Sequence, residues 1–340
     1  MQLTADLPIV DPSEGLVSDA LREGLMETGF LYLRDRSIPI DKLHRLRRET
    51  YAFFARPLEE KMHYHAPARG FVALREEHST AGFGTGAYGS GDCCEKFTMG
   101  LMVDEAIRRG DPDYYFANEA SDYFADNIFP NAHFQTAWEE YYRCMMRVVT
   151  DLMQAIRKLL GLPEGRWTEC IDRPVSVLRF LSYPEVFTPG QRLAPHYDND
   201  LVTILHQSPT ANGFDGLEVM LPGESVWRSV PADDELFVVN VGDALTYLTE
   251  GRVVATKHRV ASPPTELLKG SGRSSIVFFH MPNWNARLYP KAAAAMDHGL
   301  GQSSTSFHLD DLKEADGSVL FYKVLEREIS RQKAKSEDEL

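Results

Sequence analysis

Between residues 174 and 279 the chain divides into short β-rich runs separated by turn residues, and this pattern limits the fold more than any other feature. Eight runs follow one another: VSVLRFLSY, LVTILHQ, GLEVML, SVWRSV, ELFVVNV, DALTYL, HRVAS and SSIVFFH. Runs this short at such regular spacing are typical of an antiparallel sandwich or barrel.

The residues before this region predict mainly helices. LPIVD and FLYLRD predict two short strands, and apolar residues at helical spacing predict helices over 15–28, 40–54 and 132–160. Residues 62–130 are rich in Gly, Tyr, Asp and Asn and are predicted as long loops with short helices. Helices followed by strands favour an α+β class, in which helices support a β core.

One glycine-rich segment, GTGAYG at 84–89, satisfies the G-x-G-x-x-G pattern of dinucleotide-binding proteins. That pattern binds a pyrophosphate when it follows a strand and opens a helix, with an acidic residue about twenty positions later. Here SGDCCEKF follows it within a glycine-rich stretch. We therefore interpret the segment as a loop.

The composition argues against several classes of protein. Of the 340 residues 43% are hydrophobic, as in globular domains, and the formal net charge of −14 argues against a nucleic-acid partner, because phosphate binding needs clustered Lys and Arg. No apolar run reaches the length of about eighteen residues that a membrane span needs. The four cysteines lack C-x-x-C spacing and the first residues lack a signal-peptide pattern. We expect a cytoplasmic protein without disulfides or a cysteine zinc site.

The segment APHYDND, at 194–200, places His196 and Asp198 two residues apart. Side chains at i and i+2 of an extended chain point to one face, so an imidazole and a carboxylate are directed at the same place. A serine-hydrolase relay would need a G-x-S-x-G nucleophile, which the sequence lacks. A metal needs a third ligand, and His258 in VVATKHRVASP can supply it. Two histidines and one carboxylate form the facial triad of non-haem Fe(II) oxygenases, which leaves open positions for a cosubstrate and O₂.

Arg273 and Ser275, in GRSSIVFF, again lie on one face of a predicted strand. A guanidinium can hold a carboxylate through two parallel hydrogen bonds, and a serine hydroxyl can add a third. A carboxylate clamp beside a metal triad indicates 2-oxoglutarate, whose 2-oxo acid end chelates iron while its distal carboxylate binds an arginine. We therefore predict Fe(II), 2-oxoglutarate and O₂ as cofactors, with ascorbate as an additive that could stimulate turnover.

Arg179 and Tyr183 share a face of the run VSVLRFLSY. An arginine inside an apolar strand needs an anion, which suggests that Arg179 binds the substrate. Tyr183 is assigned to the cosubstrate pocket, although a role as a barrel-wall aromatic stays open. We interpret His206 and His280 as surface or core histidines rather than metal ligands, and Asp243 as a turn residue.

The combined pattern H-x-D, H and R-x-S resembles that of the isopenicillin N synthase-like Fe(II)/2-oxoglutarate-dependent dioxygenases. Within that family the chain is most similar to the deacetoxycephalosporin C synthase (penicillin ring-expansion) enzymes. The resembling segments are ARGFVALREEHST, VSVLRFLSYP, LAPHYDNDLVTILHQSPTANGF and GSGRSSIVFFHMPN. The resemblance implies that His196, Asp198 and His258 bind the catalytic metal. It also implies that Arg273 and Ser275 hold the distal carboxylate of 2-oxoglutarate.

The sequence departs from the family pattern at two places. The family usually has Gly where this chain has Asp200. The ring-expansion enzymes carry two arginines in the strand that here contains Arg179 and Leu181. Because the second arginine helps to hold the substrate carboxylate, its absence argues against penicillin as the substrate.

The resemblance implies a single Fe(II)/2-oxoglutarate dioxygenase domain over 1–340, of class α+β, whose core is a double-stranded β-helix (jelly roll) with supporting helices. Its parts are a mainly helical region at 1–165, the jelly-roll core with the metal site at 174–285, and a C-terminal lid or tail at 286–340.

The expected reaction couples oxidative decarboxylation of 2-oxoglutarate to hydroxylation, desaturation or ring expansion of a small molecule. By resemblance, that molecule is an anionic or zwitterionic intermediate of antibiotic or other secondary metabolism. Asp198 argues against a halogenase, because halide would need its place on iron. Two alternatives stay open: an oxidase of isopenicillin N synthase type that needs no 2-oxoglutarate, and a non-catalytic metal- or ligand-binding protein on the same barrel.

Overall fold

Short strands account for most of the β-rich region of the protein. The computed structural model describes residues 3–77, 92–102, 109–115, 121–185, 192–288, 312–327 and 330. The strands are β1 (Ile9–Val10), β2 (Phe30–Leu33), β3 (Phe71–Val72), β4 (Glu95–Met99), β5 (Val177–Tyr183), β6 (Leu193–His196), β7 (Val202–Gln207), β8 (Leu217–Met220), β9 (Arg228–Ser229), β10 (Phe237–Val241), β11 (Lys257–Val260), β12 (Arg273–His280), β13 (Arg287–Leu288) and β14 (Val319–Leu320).

These strands form a jelly roll of two packed sheets. The larger sheet has the order β1-β2-β10-β7-β12-β5-β4-β3, and the smaller has the order β6-β11-β8-β9. The first and last predicted parts of the core, β5 and β12, are antiparallel neighbours, and β7 pairs with the other edge of β12. Strands β13 and β14 form a separate pair. The predicted α+β class with a jelly-roll core is confirmed.

The two faces of the larger sheet bury different apolar clusters. The inner cluster lies between the two sheets and contains residues of both: Phe30, Tyr32, Leu181, Tyr183, Leu205, Leu217, Val219, Val238, Val260 and Val277 are among its members. The outer cluster joins the other face of the sheet to the long helices. Alternation along each strand therefore sends odd-numbered residues of β5 and β12, including Arg179 and Arg273, into the space between the sheets.

Helices pack around this core. They include α1 (Asp19–Glu23), α2 (Ile40–Phe54), α3 (Leu58–Met62), α4 (Pro112–Tyr115), α5 (Ala132–Leu160), α6 (Glu164–Ile171) and α7 (Asp243–Leu248). The predicted helices at 40–54 and 132–160 are confirmed. Asn131 caps the start of α5 through its side chain, and Gly161 ends it with φ of 59°. No described helix has the length and apolar character that crossing a membrane requires.

Some local predictions are wrong. The run DALTYL forms the helix α7 rather than a strand, because Asp243 follows the N-cap Gly242 and its apolar residues fit a helical face as well as a strand. Residues 62–130 contain the unpredicted strands β3 and β4. The predicted helix at 15–28 is α1 followed by a π-helical turn at Gly24–Thr28. The segment 84–89 and most of the predicted lid lie outside the described residues.

His206 and His280 are both buried on strands. His280 Nδ1 lies 2.9 Å from Ser176 Oγ, and burial lowers the pKa of His280 to about 3. His206 lies 2.9 Å from Arg47, and burial together with that charge lowers the pKa of His206 to about 4. Both histidines are core residues, as the sequence predicts.

The lowered pKa of His280 predicts a defined acid sensitivity. An unfolded histidine takes up a proton near pH 6.5, whereas the folded protein excludes that proton until about pH 3. Stability is therefore complete above pH 6.5 and decreases as the pH falls below it. His280→Asn should reduce the slope of unfolding free energy against pH, between about pH 6 and 4, by roughly 1.4 kcal/mol per pH unit. Urea unfolding with a chelator present measures the slope.

The variant His133→Asn, at an exposed position of α5, is the control for removal of a histidine. A slope in His280→Asn equal to that of the parent protein would contradict the assignment of His280 as a neutral buried group.

Candidate metal centre and cosubstrate pocket

Strand pairing in the smaller sheet brings two histidines together. His258 on β11 is the register partner of His196 at the end of β6, and the centroids of their rings are 4.3 Å apart. Asp198 lies just beyond β6, and its Oδ1 atom is 3.6 Å from Nε2 of both histidines. One ligand atom from each residue lies within 4.8 Å of the others. The structure therefore places the three predicted metal ligands around one point.

Backbone carbonyls orient both imidazoles. His196 Nδ1 lies 2.8 Å from the carbonyl oxygen of Ala194, and His258 Nδ1 lies 3.1 Å from that of Thr256. Because a carbonyl oxygen can only accept, Nδ1 of each ring donates to it, and Nε2 is the nitrogen directed at Asp198. Both Nε2 atoms face Asp198, so the two nitrogens and the carboxylate are prepared for a cation.

The carboxylate of Asp198 stays ionised although it is buried. Burial alone would raise its pKa, but the neighbouring imidazoles of His258 and His196 outweigh burial and hold the pKa well below the usual range. Its second oxygen, Oδ2, accepts hydrogen bonds from Thr203 Oγ1 at 2.5 Å and from Asn240 Nδ2 at 2.8 Å. The donor set of two imidazole nitrogens and one anionic oxygen fits Fe(II).

Asp200 forms a second buried carboxyl beside the triad. Burial and the charge of Asp198 raise the pKa of Asp200 well above its usual value. Its Oδ2 lies 2.9 Å from Thr203 Oγ1. A side chain at Gly242 would displace it, since a Cβ atom there would lie 2.2 Å from Asp200 Oδ1. Asp200, which stands where the family usually has Gly, thus adds a carboxyl group in contact with Thr203, and Thr203 also binds Asp198.

Arg273 and Ser275 lie further along the inner face of the barrel. Arg273 Nη2 donates to Gln207 Oε1 and to Ser275 Oγ, each at 2.8 Å. The guanidinium lies over the ring of Tyr183, its register partner on β5, at 4.9 Å from the ring centroid. Its Nη1 atom is buried and has no hydrogen-bond partner within the described part of the chain. A buried donor that needs an acceptor fits the carboxylate of a ligand.

Arg179 faces the same interior but has a protein carboxylate as its neighbour. Its Nε donates to Thr98 Oγ1 at 3.2 Å, and its Nη1 lies 3.4 Å from Glu77 Oε1. Glu77 also pairs with Lys96, at 2.5 Å, and Lys96 pairs with Asp92 at 2.8 Å. Burial would raise the pKa of Glu77, but Arg179 and Lys96 lower it to about 2. The anion that the sequence predicts for Arg179 is therefore present within the protein.

Arg69 is a second cation near Arg179. It is 2% exposed, and its direct partners among the described residues are uncharged: the carbonyl oxygens of Ala68 and Tyr123 and the ring of Tyr123. Burial lowers its pKa to about 10, and its Nε has no hydrogen-bond partner among the described residues. Arg69 thus carries a buried positive charge that forms no direct ion pair within the described part of the chain.

Sequence reasoning missed the residues that support the site. Gln207 and Thr203 share a face of β7, and strand alternation from Thr203 could have indicated that they point inward together. Asn240 and Glu77 gave no such signal, because each reaches the site from a segment distant in sequence.

Apolar residues surround the triad. The ring of Phe30 meets that of His258 edge to face at 5.4 Å between centroids. Leu205, Val219 and Val277 line the same interior. Since water is largely excluded, interactions between charges at this site are stronger than they would be at the surface.

Comparisons with protein families find two matches in the chain. Residues 173–282 match the 2OG-Fe(II) oxygenase superfamily, and residues 4–122 match the N-terminal region described as non-haem dioxygenase in morphine synthesis. The first match contains the triad, Arg273 and Ser275.

Individual proteins give the same result. Deacetoxycephalosporin C synthase of Amycolatopsis lactamdurans is 33% identical over 81% of this chain and 82% of its own length. Deacetoxycephalosporin C hydroxylase of Streptomyces clavuligerus is 29% identical over 84% and 86%. The structure of a putative 2OG-Fe(II) oxygenase family protein from Caulobacter crescentus matches with a TM-score of 0.71 at 22% identity, covering 96% of this chain and 99% of that one.

The geometry predicts that Asp198→Ala weakens metal binding. The variant leaves two neutral imidazoles without an anionic ligand, and affinity for Fe(II) or Co(II) should fall about 10-fold or more, by analogy with the loss of a metal-shell partner. Calorimetric titration with Co(II) measures the loss, and circular dichroism checks the fold. Native dichroism with parental Co(II) affinity would contradict the role of Asp198.

Proposed function

The chain belongs to the 2OG-Fe(II) oxygenase superfamily, and on that basis we propose that it oxidises a small anionic or zwitterionic secondary metabolite at the site formed by His196, Asp198 and His258. One observation carries the proposal: the triad and an unpartnered buried donor of Arg273 face the same barrel interior. The first suits a metal, and the second suits the distal carboxylate of a 2-oxo acid.

The three ligands have complementary roles. His196 and His258 would hold Fe(II) through Nε2 and Asp198 through Oδ1, because these atoms converge. Bound iron would supply the activation of O₂ that couples decarboxylation of 2-oxoglutarate to substrate oxidation. The carbonyls of Ala194 and Thr256 keep the imidazoles in the metal-binding tautomer.

The cosubstrate would be oriented by the clamp. Arg273 Nη1 has no hydrogen-bond partner among the described residues, while Gln207 and Ser275 hold Nη2 and fix the plane of the guanidinium. The ring of Tyr183 packs against one face of the guanidinium and stabilises its orientation. The clamp would thereby hold the distal carboxylate and leave the 2-oxo acid end for the triad.

The substrate would bind on the side of the barrel that contains Arg179 and Arg69. An anionic group can meet Arg69, whose partners are uncharged. Glu77 already neutralises part of the charge of Arg179, so a substrate that also carries a positive group would match this region better than a dianion. The names of the two cephalosporin relatives support a metabolite of antibiotic type.

A cytoplasmic location is part of the proposal. Cys93, Cys94 and Cys144 are free thiols, which suits a reducing compartment.

The proposal is tested by a substrate screen scored by succinate formation with Fe(II), 2-oxoglutarate and ascorbate, with penicillins and cephalosporins among the compounds. We expect small zwitterionic metabolites to stimulate succinate release above the uncoupled rate. Oxidation of a substrate without 2-oxoglutarate would indicate the isopenicillin N synthase type of oxidase. No succinate with any compound, despite bound metal, would indicate a non-catalytic binding protein.

The clamp predicts a specific kinetic defect for Arg273→Gln. The substitution removes charge-assisted hydrogen bonds worth about 1.5–3 kcal/mol, which corresponds to about 10- to 150-fold in affinity. The apparent KM for 2-oxoglutarate should rise by that factor. A 2-oxo acid with an apolar tail, 4-methyl-2-oxopentanoate, should be less disfavoured by the variant than by the parent enzyme. CO₂ release against the concentration of each oxo acid measures both effects.

Arg228→Gln is the control, because Arg228, on the edge strand β9, is partly exposed and already forms an ion pair with Glu224. A parental KM for 2-oxoglutarate in Arg273→Gln would rule out Arg273 as the clamp and make Arg179 the next candidate.

A further inference from the structure

Two donors on the larger sheet converge on one oxygen of Asp198. Asn240 on β10 and Thr203 on β7 are register partners, and both are buried. Asn240 Nδ2 and Thr203 Oγ1 both bind Oδ2, while Oδ1 faces the Nε2 atoms of the two histidines. The protein therefore treats the two oxygens of one carboxylate differently.

This difference matters because a carboxylate can bind a cation with one oxygen or with both. An oxygen that already accepts two hydrogen bonds has its lone pairs directed at protein donors. Such an oxygen competes poorly for a cation. The choice between the two oxygens of Asp198 is thus made by Asn240 and Thr203 in the folded chain.

We propose that Asn240 and Thr203 are positioning residues that restrict Asp198 to binding the metal through Oδ1 alone. The inference rests on the metal role of Asp198 in the proposed function. Restricting the carboxylate to one oxygen keeps a metal position available for the 2-oxo acid end of the cosubstrate. If Oδ2 were released, it could turn toward the metal and compete with 2-oxoglutarate.

The backbone around Asp198 supports this arrangement. The amide of Asp243 donates to the carbonyl of Asp198 at 2.8 Å, and the amide of Ala244 donates to that of Asp200 at 3.1 Å. The loop that carries the carboxylate is therefore fixed to the start of α7. With the main chain held, the remaining freedom of Asp198 is rotation of its carboxylate, and the two donors on Oδ2 oppose that rotation.

Asn240 also has a feature that a purely structural residue would lack. Its Oδ1 is buried and has no hydrogen-bond partner within the described residues. A buried acceptor without a donor lowers stability, a cost that the hydrogen bond to the buried Asp198 carboxylate offsets. The benefit of Asn240 is therefore its hydrogen bond to Asp198.

The test uses Asn240→Leu and Thr203→Val, two near-isosteric changes on different strands, with Thr203→Ser as the variant that keeps the hydroxyl. Co(II) alone is titrated first and its visible spectrum recorded. 2-Oxoglutarate is then titrated calorimetrically into each Co(II)-loaded protein. Thr249→Val is the matched control, because Thr249 is a buried threonine whose hydroxyl binds the carbonyl of Leu245.

We expect both variants to bind Co(II) within about 10-fold of the parent and to show an altered spectrum. Their affinity for 2-oxoglutarate should fall about 10- to 100-fold, the range found for residues that orient metal ligands. Thr203→Ser should restore most of that affinity, and Thr249→Val should leave the spectrum and both affinities unchanged.

Parental spectra and parental 2-oxoglutarate affinity in a folded Asn240→Leu or Thr203→Val protein would overturn the inference, even if thermal stability decreased. A different result would overturn the proposed function instead: a parent protein that does not bind Co(II), or Asp198→Ala binding it as the parent does.

Discussion

The buried carboxylate of Asp198 connects the two sheets of the barrel. Its Oδ1 faces His196 and His258 on the smaller sheet, and its Oδ2 binds Thr203 and Asn240 on the larger one. A buried charge lowers the stability of the protein unless it is paired and hydrogen-bonded. The four side chains that surround the Asp198 carboxylate lie on four different strands. Packing of the two sheets against each other therefore also brings the residues of the metal centre together.

Strand register fixes the distance between the metal centre and the clamp. Thr203 and Gln207 lie on the same face of β7, four residues apart, which corresponds to about 13 Å along the strand. Thr203 binds Asp198 at one end, and Gln207 binds Arg273 at the other. Because β12 pairs with both β7 and β5, a shift of one residue would turn Arg273 and Ser275 away from the interior.

The buried charged residues form two groups, one joined by ion pairs and one with neutral partners. Glu77, Lys96 and Asp92 form a closed group of ion pairs that also holds Arg179. Arg273 and Arg69 instead have neutral partners and keep unpartnered donors among the described residues. Unpaired buried cations lower the stability of the protein and favour anionic ligands, which supports the proposal that this second group binds them.

The sequence by itself indicated an α+β chain with an antiparallel sandwich or barrel, the two long helices, and the pattern His196, Asp198, His258, Arg273 and Ser275, since strand periodicity and short local motifs carry this information. The jelly roll was implied by the resemblance to the dioxygenase family. It misassigned α7 and missed β3 and β4, because short apolar runs fit a helix or a strand equally well. Only the tertiary structure decided that Thr203 and Asn240 share one oxygen of Asp198, and that Arg179 meets Glu77. These contacts join residues of separate strands and loops, and their partners are selected by sheet register and burial, which no local pattern in the chain records.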